Sequence, residues 1–426
     1  MGGGLMQLAA YGAQDIYLTG NPQITFFKIV YRRHTNFSVE CINQTFDGTI
    51  TASASTTTAT ISRNGDLITG MHLDVLMQGT LDGGAAGSTY QNWTNNTGHA
   101  LIDYAEIHIG GQMIDKHYGH FLDAYNELTD HHQNEHSLTN KHSAKNAYLK
   151  SRTALPNLRM YVPFKFWFNR HTGLALPLVA LQYHDVKLKL ATRATTSLIN
   201  HDGTTDAVHT TAPSIELWVN YVFLDTDERR RFAQQSHEYL IEQMAFSQET
   251  TSSKIRLNLN HPVKELIWTV QDNTANSSDL TGDSTLNTGG VAATQGNDWF
   301  NYHSLAGTTS EVVHGQVSNE AFSTCKILIN GHDRFSEKNA SYFRTLHPHE
   351  VGHKVPEKHV YCYSFALKPE EHQPSGVCNF SRIDTANMVF GSIAGTDANP
   401  ATINVYAINY NVLRIMSGMG GLAYSN

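Results

Sequence analysis

The sequence predicts an all-β protein made of two similar modules, each a sandwich or barrel. Apolar and polar residues alternate over short runs, the period of half-buried strands. Stretches rich in Gly, Thr, Asn and Ser separate the runs. One order of elements also occurs twice along the chain, the mark of an internal repeat.

The first half carries four clear runs: Ile68, Met71, Leu73, Val75 and Met77; Tyr161, Phe164, Phe166 and Phe168; Val186, Leu188 and Leu190; and Ile215, Leu217, Val219 and Tyr221. In the second half Ile255, Leu257 and Leu259 form one strand, and Ile327 with Ile329, Val405 with Tyr406, and Val412 to Ile415 mark others. Helices are few and short: Gly119 to Leu128, Asp227 to Gln235, and Glu337 to Thr345. Long polar loops run from Gly79 to Gly98, Thr195 to Pro213 and Asp272 to Thr309.

The repeat pairs Ile107-His108-Ile109-Gly110-Gly111-Gln112-Met113-Ile114-Asp115 with Ile327-Leu328-Ile329-Asn330-Gly331-His332-Asp333-Arg334-Phe335. A helix with aromatics follows each copy, then a Tyr-led strand at Tyr161 or Tyr361, then a glycine turn at Gly173 or Gly376. Two modules of about 190 residues each follow from this order. Their seam lies in the charged, helix-prone run from Asp225 to Glu238. The division is an arm over 1–37, a first module over 38–224, a linker over 225–237 and a second module over 238–426.

The arm is aromatic and unlike a domain start. Gly2-Gly3-Gly4 holds no backbone by itself, and Gly20-Asn21-Pro22 is a turn signal. Leu5, Tyr11, Tyr17, Phe26, Phe27 and Tyr31 need a surface to cover them and form a candidate contact arm for other chains. Phe26, Phe27 and Tyr31 are placed as its anchor beneath the first module, with Met1 to Asn21 reaching beyond.

A net charge of −8 disfavours direct nucleic-acid binding, and Arg229-Arg230-Arg231 is neutralised by Asp225, Asp227 and Glu228. Cys41, Cys325, Cys362 and Cys378 are too dispersed for a disulfide framework, so a reducing compartment is expected. No basic, apolar leader is visible, and no apolar run is long enough to span a bilayer.

Enzymatic motifs fail on context. His349-Glu350-Val351-Gly352-His353 has zincin spacing, but Pro348, Gly352 and Pro356 predict an exposed loop where a metalloprotease needs a helix. Gly111, His117, His120 and Glu127 approach the cupin metal motif with the wrong histidine spacing, and His131, His132 and His136 with Glu135 read as surface imidazoles. Gly418-Met419-Gly420-Gly421-Leu422-Ala423 lacks the following helix of a dinucleotide site and reads as a flexible tail. No catalytic, metal or cofactor site is assigned. Asn92, Asn95 and Asn276 head N-x-[ST] triplets in the polar loops and are candidate glycan acceptors.

The run from Tyr11-Gly12-Ala13-Gln14-Asp15 through Tyr31-Arg32-Arg33-His34-Thr35-Asn36-Phe37 resembles the N-terminus of major capsid proteins of large icosahedral DNA viruses, those of the algal phycodnaviruses in particular. Ile61-Ser62-Arg63-Asn64-Gly65-Asp66, Gly173-Leu174-Ala175-Leu176-Pro177-Leu178, Gln373-Pro374-Ser375-Gly376 and Asn409-Tyr410-Asn411-Val412-Leu413-Arg414 extend the similarity over nearly the whole chain. The resemblance implies a double jelly roll of two eight-stranded sandwiches. It implies a homotrimer forming a pseudo-hexagonal capsomer that tiles the outer shell, meeting neighbouring capsomers and minor capsid and penton proteins. Assembly in the host cytoplasm, an internal membrane beneath the shell and glycans on outward loops belong to the same expectation. The competing readings are a carbohydrate-binding jelly roll and a metal-dependent, cupin-like one.

Overall fold

The computed structural model describes residues 2–81, 91–141, 155–201, 209–250, 253–272, 299–300, 302, 320–393 and 401–424. The chain divides into two units, Met1–Phe37 and Ser38–Asn426.

The first unit holds two short helices, Gly3–Ala9 and Ile16–Thr19, and neither buries a residue. Gly3 and Gly4 thus open a helix despite their freedom, because Leu5 to Ala9 are all helix formers. The Asp15 carboxylate accepts from the Gly12 N–H at 2.8 Å and fixes the turn between the helices. From Asn21 to Asn36 the chain has neither helix nor strand.

The second unit is built on sixteen principal strands. The first eight are β1 (Phe37–Gln44), β2 (Ser55–Thr60), β3 (Leu67–Met77), β4 (Ile102–Ile109), β5 (Gln112–Tyr118), β6 (Leu158–Pro163), β7 (Val186–Thr192) and β8 (Ser214–Leu224). The second eight are β9 (His237–Thr250), β10 (Lys254–Arg256), β11 (Pro262–Asp272), β12 (Thr324–Ile329), β13 (His332–Asp333), β14 (Val360–Ser364), β15 (Ala386–Phe390) and β16 (Ala401–Met416). The sheets run β1-β8-β3-β6 and β2-β7-β4-β5 in the first half, and β9-β16-β11-β14 and β10-β15-β12-β13 in the second. Numbered within each half, both read 1-8-3-6 over 2-7-4-5. This is the jelly roll, made twice.

The repeated motif occupies equivalent places. Gly110-Gly111 turns β4 into β5 and Asn330-Gly331 turns β12 into β13, all four with positive φ, as a two-residue hairpin turn of the right twist requires. Tyr161 and Tyr361 both fall in the sixth strand of their halves.

Apolar spacing is explained by pairing. Ile68 and Met71 are three apart because the register of β3 against β8 shifts there, and the bulge restores one buried face. The aromatic run after Tyr161 is not one strand. β6 stops at Pro163, and Phe166 caps a helical turn over Trp167–Arg170, although Phe164, Phe166 and Phe168 are all buried.

Strands β16, β11 and β14 of the sheet β9-β16-β11-β14 are buried on both faces. Leu266, Trp268, Val270, Tyr361, Ile403 and Val405 enter the core of the second sandwich. Their neighbours Ile267, Val360, Cys362, Tyr406 and Ile408 enter a cluster continuous with the interior of the first. This explains why Val405 and Tyr406 are consecutive apolar residues: each faces a different core.

Three helices position charged side chains. α1 (Gly119–Thr129) lies in the junction and packs against both halves, with Phe121 to Leu128 all buried. α2 (Thr226–Gln234) links the halves, buries nothing, and is pinned by Arg229 gripping Asp66 at 2.8 and 3.0 Å. α3 (His347–Val351) continues a π-helical turn over Tyr342–Leu346. The helical stretch therefore begins after the expected Glu337 start, where Lys338–Asn339 is a short strand instead.

Candidate assembly surfaces and the buried junction

The arm carries exposed apolar side chains. Leu5, Tyr11 and Tyr17 are exposed, and Phe26, Phe27 and Tyr31 are 97, 93 and 84% exposed. β1 is an edge strand whose Phe37 and Val39 are also exposed. Exposed apolar groups at this density mark a surface that something else covers.

The junction is held by charge as well as by apolar packing. Lys358 Nζ lies 3.0 Å from both oxygens of Asp123 on α1. The same carboxylate accepts from Asn96 Nδ2 at 2.6 Å and from the Tyr302 hydroxyl at 3.3 Å. Lys141 pairs with Glu127 at 2.9 Å and approaches Asp123 at 3.6 Å. Burial alone would raise the Asp123 pKa, but Lys358 and Lys141 outweigh it and hold the carboxyl well below its usual range. A second knot joins Arg170 of the first half to Glu242 on β9 at 2.6 Å, with Lys264 at 2.7 Å from the other oxygen. These residues stand far apart in the chain and carry no motif. Only the acid-and-amide face of Asp123, Asn126 and Glu127 in an otherwise apolar helix hinted at them.

A third knot reverses the expectation for His349-Glu350-Val351-Gly352-His353. The segment is a helix end, not an exposed loop. Pro348 sits in the first turn, where no N–H is needed, and Gly352 closes the helix with φ 86°. His353 then lies beyond the helix and is buried, with Nε2 2.8 Å from Glu265 and Nδ1 2.8 Å from Glu370. Both ring nitrogens are engaged, so the imidazole has no lone pair for a metal. His131 meets the same Glu370 at 2.9 Å.

His131 and His132 are exposed, as expected of surface imidazoles, and His136 is half-buried, whereas His117 and His120 upstream turn inward. His117 is buried, stacked on Phe166 with centroids 4.6 Å apart and 2.9 Å from Asp115. His120 packs on Trp299 and Phe300. Among the described residues no three His, Cys, Asp or Glu side chains converge as metal ligands.

These pairings set a pH dependence. Burial opposes charge on His353, but Glu265 and Glu370 overcome it and push its pKa up to about 9. Its stabilisation is therefore complete below the unfolded value of about 6.5 and is lost as pH rises through about 9. Burial pushes His99 and His120 down to about 3. They refuse protons that the unfolded chain accepts, so stability also falls as pH drops below about 6.5. Melting temperature should peak near pH 6.5 and decline on both sides. His353→Gln should remove the alkaline decline and cost on the order of 3 kcal/mol at pH 6. An alkaline limb unchanged in that variant would refute the pairing.

The C-terminal glycine run is a hairpin and not a flexible tail. Met419–Leu422 pairs with the end of β16 through a turn in which Ser417 and Gly418 both have positive φ. The Gly418 carbonyl accepts from the Tyr183 N–H at 3.0 Å, and Leu422 N–H donates to Gln112 at 3.2 Å, so the hairpin clips onto the first sandwich.

The glycan candidates fare differently from their loop placing. Asn92 lies in the strand Gln91–Trp93 and is 7% exposed, and Asn95 is 8% exposed. Asn92 Oδ1 accepts from the Trp93 N–H at 2.9 Å. Both residues are therefore nearly buried in the folded chain. Asn276 lies outside the described residues.

Comparison with known proteins follows the same two halves. Residues 25–225 match the family described as "Major capsid protein N-terminus", and residues 228–421 match "Large eukaryotic DNA virus major capsid protein". The chain is 44% identical to the major capsid protein of Pyramimonas orientalis virus and 42% identical to that of Paramecium bursaria Chlorella virus 1, each alignment covering 100% of both chains. Among solved structures, the PBCV-1 virus capsid matches with TM-score 0.75 at 36% identity, over 94% of this chain and 100% of that one. The Faustovirus major capsid protein matches with TM-score 0.73 at 13% identity, over 97% and 96%, a likeness of fold.

Proposed function

The chain belongs to the major capsid proteins of large eukaryotic DNA viruses, and on that premise we propose that it is the structural tile of such a virion's outer shell. The observation that carries the reading is the doubled 1-8-3-6 over 2-7-4-5 order, with two sandwiches sharing one wall. Three such chains bring six similar sandwiches around a threefold axis. A threefold object then offers near-sixfold contacts, which close a hexagonal array.

In this reading the chain forms a homotrimer, meets neighbouring capsomers, and reaches minor capsid and penton proteins through Leu5, Tyr11 and Tyr17. It acts as a wall and not as a catalyst. It touches no nucleic acid directly, and assembly takes place in the host cytoplasm. Lateral contacts of this permanent kind bury about 2,000 Å² or more. The metal-dependent alternative loses support because both ring nitrogens of His353 are spent on carboxylates.

Light scattering tests the proposal. Purified protein should have three times the chain mass of 47.3 kDa. A monodisperse monomer that never assembles would sink it.

A further inference from the structure

We propose that the arm segment from Ile24 to Arg33 is an interfacial anchor for an anionic lipid surface. The inference rests on reading the arm as an extension that acts outside its own sandwich.

Ile24, Phe26, Phe27, Ile29, Val30 and Tyr31 are all 70% exposed or more. Their order excludes the usual protein-docking patterns. The segment has neither helix nor strand and bends at Phe26 and Phe27, whose rings meet edge to face with centroids 5.8 Å apart. Phe26-Phe27 and Ile29-Val30-Tyr31 are consecutive apolar residues, without the spacing of either element. A strand added to a sheet edge would alternate, and a groove-bound helix would repeat every three or four residues. An apolar layer makes no such demand, because it receives side chains in every direction.

Charge points the same way. Lys28, Arg32 and Arg33 stand among these apolar residues, and no Asp or Glu occurs from Ile16 to Val39. The arm over 1–37 has three of these cations against Asp15 alone, a balance of +2, whereas the chain as a whole carries −8, leaving −10 on the rest. An anionic bilayer attracts the arm and repels the body, so the charge also fixes orientation. Long cationic side chains keep their heads at the phosphates while their stems lie along apolar surface. Backbone outside helix and sheet needs water for its N–H and C=O groups, so the segment rests at headgroup depth and does not cross. No helix among the described residues is long and apolar enough to span.

The test is flotation of the full-length protein with phosphatidylcholine/phosphatidylserine vesicles and with phosphatidylcholine alone. The protein should float with the mixed vesicles, weakly with the neutral ones, and less as salt rises. Each cation near an anionic surface is worth about fivefold, so K28Q/R32Q/R33Q should weaken binding by about a hundredfold. F26S/F27S should abolish it. Because these side chains are exposed, both variants keep the fold. Wild-type protein that ignores the mixed vesicles overturns the proposal, as does binding that survives both variants. Cross-linking of Tyr31 to another protein chain in place of lipid protection also overturns it. A trimer that fails to float defeats the anchor alone, whereas a monomer defeats the capsid reading.

Discussion

Lys358→Met is expected to cost the folded chain about 3–5 kcal/mol, the usual penalty for leaving a buried charge without its partner. The Asp123 side chain is wholly buried and, of its two cations, would keep only the more distant Lys141, 3.6 Å away. A total stability of about 5–15 kcal/mol makes that a large share. Adding Asp123→Asn to Lys358→Met should recover most of the loss, since the stranded charge disappears. Urea denaturation of the four proteins in the cycle measures this. Additive losses would mean that the two side chains do not act as a pair.

Removing Met1 to Thr19 should leave trimers intact and prevent their ordered assembly into sheets or shells. Both helices of the arm lie in this stretch, and neither buries a side chain. Trimer mass by light scattering and arrays by electron microscopy separate the two effects. If the truncated chain no longer trimerises, the arm belongs to the fold and its assignment as an assembly contact is wrong.

Much of the architecture was legible in the chain because strand periodicity and turn chemistry are local. Gly110-Gly111 and Asn330-Gly331 are hairpin turns by residue type alone, and the apolar alternation of Leu73, Val75 and Met77 needs no tertiary knowledge. Proline and glycine were harder to read. Around His349 they look like helix breakers, but their positions make them a start and a stop. Ser417-Gly418 similarly looks like a loose end until the pairing with β16 is known. The junction was least legible. Asp123 and Lys358, or Arg170 and Glu242, are brought together by the packing of two sandwiches, and no spacing in sequence encodes such a meeting. The burial of Asn92 and Asn95 has the same origin: a polar stretch became interior because it folds in beside α1.

The doubly buried sheet has a mechanical consequence. Sandwiches joined by a flexible tether could tilt against each other, but here one wall serves both, riveted by the ionic contacts of Asp123 with Lys358, Arg170 with Glu242 and His131 with Glu370, and by the C-terminal hairpin. Bending within the chain would open an apolar seam. On the proposed reading each capsomer is therefore a stiff brick, and the curvature of a closed shell must be taken up at the joints between bricks.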